Sequence, residues 1–373
     1  LISKHSSERK VIMKKKRIRI ISTIIIAMLL FMSNSFAFAA NNTSLTEDVT
    51  YLIEKNDLSF ENKFLTLYMK NVMKEDINIV DVTQISDLTG VCRYLYYEIN
   101  NGKHLGYAIL NADTLSVTEC AFDHVLPFKV NKNILYGGPL VYLEFDNSSY
   151  QDKMSGKEVN TQTIQNMISF QKNSLLPSIL SDNEKADMYL DLSRTQSVIN
   201  TISGSGNTSW VFNAGSYQGD CGVNAVAMVE KYYDLYVNSN YLPSSLSTEQ
   251  QIKNSIANYI LGDMAYPDLS LSESEWASVI TQHSMSVGLS GYYLYSYSET
   301  YNWISTVQKI DDNRPMTISI KNHPTYGYHY VVVAGYSDTA DLSTSRLYVN
   351  TGWSSHGFVW IDQSYGYRQM PCI

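Results

Sequence analysis

Three short segments in the C-terminal half hold side chains whose types and spacing suit thiol chemistry. The first is Gln218-Gly219-Asp220-Cys221-Gly222-Val223, running on to Tyr233. Val226, Val229, Tyr233 and Tyr236 keep helical spacing, while Ala225, Ala227 and Met228 make the other faces apolar. That pattern predicts a buried helix, with Asp220 placed to cap it. Cys221 then lies at the helix N-terminus, where peptide dipoles favour negative charge and lower a thiol pKa. The thiolate is the nucleophilic form, so this position suits a catalytic cysteine. A buried structural cysteine is the competing reading.

The second segment, Gly327 to Tyr336, predicts a strand that opens with His329 and is apolar on both faces beyond it. The third, Leu347 to Asn350, predicts another strand, with Gly357 to Ile361 as its hairpin partner. Two adjacent strands would set Asn350 beside His329. An amide there orients the imidazole, as the third member of a triad does. Trp353 either shields the His329–Asn350 hydrogen bond or fills the core.

Together these segments resemble the papain-like cysteine peptidases, over residues 206–373. His329 to Tyr336 is similar to the family's histidine strand, and Asn350 followed by Trp353 to its asparagine-plus-tryptophan segment. Asp220-Cys221-Gly222, running into Ala227-Met228 and Tyr232-Tyr233, resembles most the peptidase domains of bacteriocin-processing ABC transporters and their secreted relatives. Asn313-Arg314-Pro315-Met316-Thr317-Ile318 fits the turn, Pro and buried strand of those relatives. Asn350-Thr351-Gly352-Trp353 is similar instead to streptopain-type peptidases.

The chain departs from these patterns at two places. The family's oxyanion glutamine lies six residues before the cysteine, where this chain has Gly215. Gln218 is the nearest glutamine and the oxyanion candidate, with Asn213 as the alternative. A papain-style register on Gln218 would put Asn224 at the nucleophile position and make the protein a pseudoenzyme. The Gly222-to-Met228 pattern favours Cys221 instead. The transporter peptidases carry Asp as third residue, whereas Asn350 accepts through its amide oxygen with less charge stabilisation of imidazolium.

The resemblance implies an acyl-enzyme mechanism. Cys221 attacks a peptide carbonyl, and the Cys221 N–H and Gln218 amide hold the oxyanion. His329 protonates the leaving amine and then activates water. It implies no cofactor and no metal. Other thiol chemistry, acyl or amide transfer, and an inactive secreted binding module are the competing functions. His323, in a loop, and His356, in a turn, are weaker base candidates. His104, His124 and His283 lack metal-ligand spacing. Tyr292 to Tyr297 predicts an aromatic strand, with a cleft lining as the functional alternative. Cys372 reads as incidental.

The elements that must position these residues follow from the rest of the chain. The fold class is α+β. A papain-like domain at 206–373, a buried N-terminal helix plus antiparallel sheet, follows a smaller α+β domain at 41–192. Ser193–Ser209 is Ser/Thr/Asn/Gly-rich, which places a linker at 193–205. In the first domain, residues 41–75 read as helical, with Ser44 and Glu47 as a capping box and Leu65, Tyr68 and Val72 at helical spacing. Residues 91–121 read as a meander turned at Asn101-Gly102. Its outer strands carry Cys92 and Cys120, read as free buried thiols because non-neighbouring strands are too far apart to bridge. Leu140–Phe145 reads as a strand and 160–192 as helical. This domain suits a propeptide, with a permanent stabilising domain as the alternative.

The N-terminus reads as export machinery. A basic block, Lys14 to Arg19, precedes an apolar run, Ile20 to Met32, and Ala37-Phe38-Ala39-Ala40 offers a cleavage site. These features predict a signal peptide at 1–39, cut after Ala39, with 1–12 an upstream extension before Met13. Membrane contact is expected only through that peptide during export. Residues 1–40 hold eight of the 28 basic and one of the 36 acidic residues, leaving 20 basic and 35 acidic, a net charge of −15. Such acidity argues against nucleic acid as a partner. No GxxxxGK[ST] loop is present, so no nucleotide is expected. The expected partner is an extracellular protein or peptide substrate.

Overall fold

A computed structural model describes residues 58–372, except 147–148, 175–178, 206, 211, 213–219, 240, 290–292, 324–326, 340–343 and 354–356. The expected signal peptide, the Ser44–Glu47 box and the oxyanion candidates Gln218 and Asn213 lie outside the described residues. No helix among the described residues is long and apolar enough to cross a membrane.

The described chain forms two compact units. One holds residues 58–60 and 182–190, where the Phe60 and Tyr189 rings meet with centroids 5.9 Å apart. The other holds residues 61–181 and 191–372.

In chain order, helix α1 (Ser59–Asn71) precedes β1 (Asn78–Asp87), β2 (Cys92–Asn100), β3 (Leu105–Asn111) and β4 (Ser116–Ala121). Strands β5 (Ile134–Gly138), β6 (Val141–Asp146), β7 (Ser149–Asp152) and β8 (Glu158–Val159) follow. Helices α2 (Thr161–Ser174) and α3 (Asp182–Arg194) lead to β9 (Val198–Thr201). Helices α4 (Asp220–Tyr232), α5 (Glu249–Asn258) and α6 (Glu273–Val287) come next, then β10 (Glu299–Thr300) and α7 (Trp303–Asp311). The chain ends with β11 (Met316–His323), β12 (Gly327–Asp338), β13 (Arg346–Asn350), β14 (Phe358–Asp362) and β15 (Gly366–Met370).

The strands form one sheet in the order β10-β15-β11-β12-β13-β14-β4-β3-β2-β1-β5-β6-β7-β8, with β9 also pairing β12. The sheet is mixed rather than purely antiparallel, because β1 and β5 run parallel. It is also continuous. Trp360 and Ile361 of β14 pair with Cys120 and Glu119 of β4, so early and late strands share one ladder. Residues 193–205, read from composition as a linker, contain β9, whose Val198–Thr201 pair with Gly335–Asp338. Four half-exposed residues are too few for an alternation pattern to stand out, so Ser and Asn dominate the reading there.

Within the larger unit, one hydrophobic core joins the early and the late strands. It holds Ile85, Tyr107, Ile109 and Tyr142 together with Val226, Ile280, Val331 and Val349. Polar groups are buried along the same seam. Arg346 of β13 lies 5.3 Å from the Tyr68 ring of α1, and its Nη1 is 3.4 Å from Asp362 Oδ2. Ser337 Oγ donates to the Val72 carbonyl at 3.1 Å. Glu119 is fully buried and accepts from the Tyr107 hydroxyl and, at 2.9 Å, from the Leu140 N–H.

Two local expectations change. Cys92 is an exposed thiol beside Ser86, whereas Cys120 is buried, and both are free. Residues 293–297 form no strand. Ser296 bridges the backbone of Cys372, while Tyr293 and Tyr295 point outward.

Candidate active site

Helix α4 carries the thiol. Its sequence places Asp220 in the first turn and small or branched apolar residues almost throughout, and all but Lys231 of its residues are buried. Gly222 lets it approach α6, since a Cβ there would lie 2.2 Å from Trp276 Cε2. Helix α6 is held in place by a capping box between Ser272 and Glu275.

Cys221 is 3% exposed. Its Sγ lies 4.0 Å from the Tyr328 carbonyl oxygen. Burial pushes the thiol up to about 11, against the opposing pull of the Tyr330, Gly222 and Cys221 N–H groups. The Asp220 charge adds to the rise. The lowering expected from the helix terminus is therefore outweighed by desolvation, and the resting group is a neutral thiol.

His329 is the third residue of β12 and is fully buried. Its Nε2 lies 3.1 Å from the Thr351 carbonyl oxygen. A carbonyl only accepts, so Nε2 carries the proton and Nδ1 is the basic nitrogen of this tautomer. Its ring stacks on Trp353, centroids 4.2 Å apart and planes 11° from parallel.

Asn350 ends β13, and its register partner on β12 is Val332, three residues beyond His329. Its Oδ1 accepts from the Gly352 N–H at 2.9 Å, and its Nδ2 has no partner among the described residues. The acceptor that orients His329 is thus the next residue's backbone. Asn350 instead shapes the turn that presents this carbonyl. Gly352 has φ +76, a conformation that disfavours a side chain, and Trp353 N–H donates to Thr351 Oγ1 at 3.2 Å.

Asn224 clamps the same turn from α4. Its Nδ2 donates to Gly352 O at 3.3 Å and to Phe212 O at 3.1 Å. It is a positioning residue one turn beyond Cys221. Neither Asn224 in this role nor the Thr351 carbonyl carries a composition signal, since both act through the backbone of a turn.

The other histidines lie elsewhere. His323 ends β11, His124 contacts Asp123 at 2.7 Å, and His356 lies outside the described residues. His283 is buried between α4 and α5. Its Nδ1 meets Glu230 Oε1 at 2.8 Å and its Nε2 meets Ser255 Oγ at 2.9 Å. That relay gives one oxygen of a buried carboxylate its partner and ties three helices together, while Glu230 Oε2 has no partner among the described residues.

The structure thus places Cys221 against the backbone of Tyr328 and Tyr330, the two residues flanking His329, and stacks Trp353 on that ring. Residues 207–365, under half the chain, match the Peptidase_C39 like family. No curated protein matches the chain. The stretch that holds Cys221, His329, Asn350 and Trp353 thus lies within the residues similar to that family, a papain-like cysteine peptidase group.

Proposed function

We propose that the protein is a secreted cysteine peptidase in which Cys221 is the nucleophile and His329 the general base. The observation that carries this reading is the pinned tautomer. The Nε2–H donated to Thr351 leaves the basic Nδ1 on a ring whose two chain neighbours border the thiol. Because the resting thiol is neutral, the proton passes from sulfur to Nδ1 as the sulfur attacks the peptide carbonyl. The Cys221 N–H and the Gln218 side chain receive the oxyanion. His329 then protonates the leaving amine and activates the water that frees the acyl group. Export rests on the N-terminal basic block, apolar run and Ala-x-Ala site.

The first part of the chain has two readings, a removable propeptide or a retained half. Retention is favoured by the β4–β14 ladder and by Arg346 lying on Tyr68, both of which removal would break.

Purified exported chain should cleave casein or a peptide library, and Cys221→Ala should not. Equal cleavage by both would remove Cys221 from the chemistry. An inactive but folded wild type whose Cys221 no thiol-directed peptide probe labels would instead favour a binding module on this scaffold.

A further inference from the structure

The wall beside the thiol carries a carboxylate that the chemistry above does not use. Glu273 opens α6 one turn before Trp276, so both lie on one face of that helix. Trp276 lies against Gly222, the neighbour of Cys221, and its ring is 6.0 Å from that of Tyr330. Ser319 sits opposite Tyr330 in the β11–β12 register and donates to Glu273 Oε1 at 3.1 Å. Tyr330 therefore stands between the two groups. Its N–H faces the Cys221 sulfur and its phenol feels the Glu273 charge.

Glu273 is 9% exposed, and one neutral hydroxyl is its only side-chain hydrogen-bond partner among the described residues. Arg368, opposite Ser319 on β15, is engaged with Ser298 Oγ at 3.1 Å. A largely buried carboxylate with one hydroxyl donor can take a cation as a further partner. An exposed aromatic group within reach of the Glu273 charge also suits such a cation. Tyr328, 37% exposed, stacks on Tyr367 at 5.6 Å, and aromatic faces accept guanidinium and ammonium groups. The net charge of −15 beyond residue 40 also draws cationic peptides.

We propose that Glu273 is a specificity-determining residue that binds a Lys or Arg side chain of the peptide held at Cys221. This rests on Cys221 being the reactive thiol.

The test uses thiol-directed peptidyl vinyl sulfones that differ only in carrying Arg, Leu or Glu at each position near the warhead. Labelling of Cys221 is followed by mass spectrometry in the exported chain. At one position the Arg probe should label about tenfold faster than the Glu probe. Glu273→Gln should shrink that ratio and Glu273→Lys should invert it. Wild type labelled equally by all three probes at every position overturns the specificity while leaving the thiol reading intact. No labelling by any probe in folded wild type overturns the thiol reading, and this inference with it. If one variant fails to fold, the other carries the test, and an Arg-to-Glu ratio left unchanged in a folded variant overturns the role of Glu273.

Discussion

The His329 imidazole lies flat on the Trp353 indole, with centroids 4.2 Å apart and planes 11° from parallel. Stacking fixes the ring plane, and the Nε2–H to Thr351 fixes rotation within it. Trp353→Leu keeps an apolar cover but frees the plane. We expect kcat to fall roughly ten- to a hundredfold, since small misplacements of a catalytic group carry such costs. Steady-state kinetics beside a thermal melt checks this, and unchanged kcat in a folded variant would deny the stacking a role.

Asn350 shapes the turn that carries the orienting carbonyl. Asn350→Ala should cost about 1 kcal/mol of stability through the lost hydrogen bond. Its kcat should fall about tenfold, less than the roughly hundred- to ten-thousandfold expected when the base is removed in His329→Ala. A stable Asn350→Ala protein as inactive as His329→Ala would place the amide itself on the imidazole.

The thiol that burial holds at about 11 makes a kinetic prediction. Near pH 7 roughly one such thiol in ten thousand is ionised. Alkylation of Cys221 by iodoacetamide should be slow there and climb about tenfold per pH unit through the alkaline range. Exposed Cys92 is the internal reference. Faster alkylation of Cys221 than of Cys92 at neutral pH would reveal a preformed thiolate.

Burial raises the Glu119 carboxyl above the ordinary glutamate value, and its tyrosine and Leu140 donors offset only part of that rise. The unfolded chain gives up this proton near pH 4.3, about the ordinary value, while the folded chain holds it to higher pH. Folding thus binds a proton in that window, so stability falls as pH rises from the ordinary value through the raised one. Urea midpoints measured across the window should show this slope in wild type. Glu119→Gln should flatten it, and an identical slope in both would assign the effect elsewhere.

The β4–β14 ladder predicts that residues 206–373 do not fold alone. Removing the preceding chain strips Arg346 of Tyr68 and leaves β14 as a bare edge, inviting intermolecular pairing. The truncated chain should elute as aggregates and lack a cooperative melt. A monomeric, active fragment would restore the propeptide reading.

Much of this was legible in the sequence. The helix behind Cys221, the strands carrying His329 and Asn350, and the Asn101-Gly102 hairpin all follow from period and turn chemistry. The continuity of the sheet did not follow. Pairing of β4 with β14 joins residues about 240 positions apart, and local alternation says which face a strand buries but not which strand lies beside it. The orienting acceptor was illegible for a related reason. A triad is read from side chains, whereas Thr351 contributes its backbone oxygen, and every residue has one.

The burial of Cys221 also bears on how long the molecule lasts. Oxidants and disulfides react with thiolates far faster than with thiols. A sulfur that stays protonated and shielded until a peptide arrives is a poor target for peroxide or for mixed-disulfide formation. The same desolvation that keeps this thiol protonated would hold it in the reduced state.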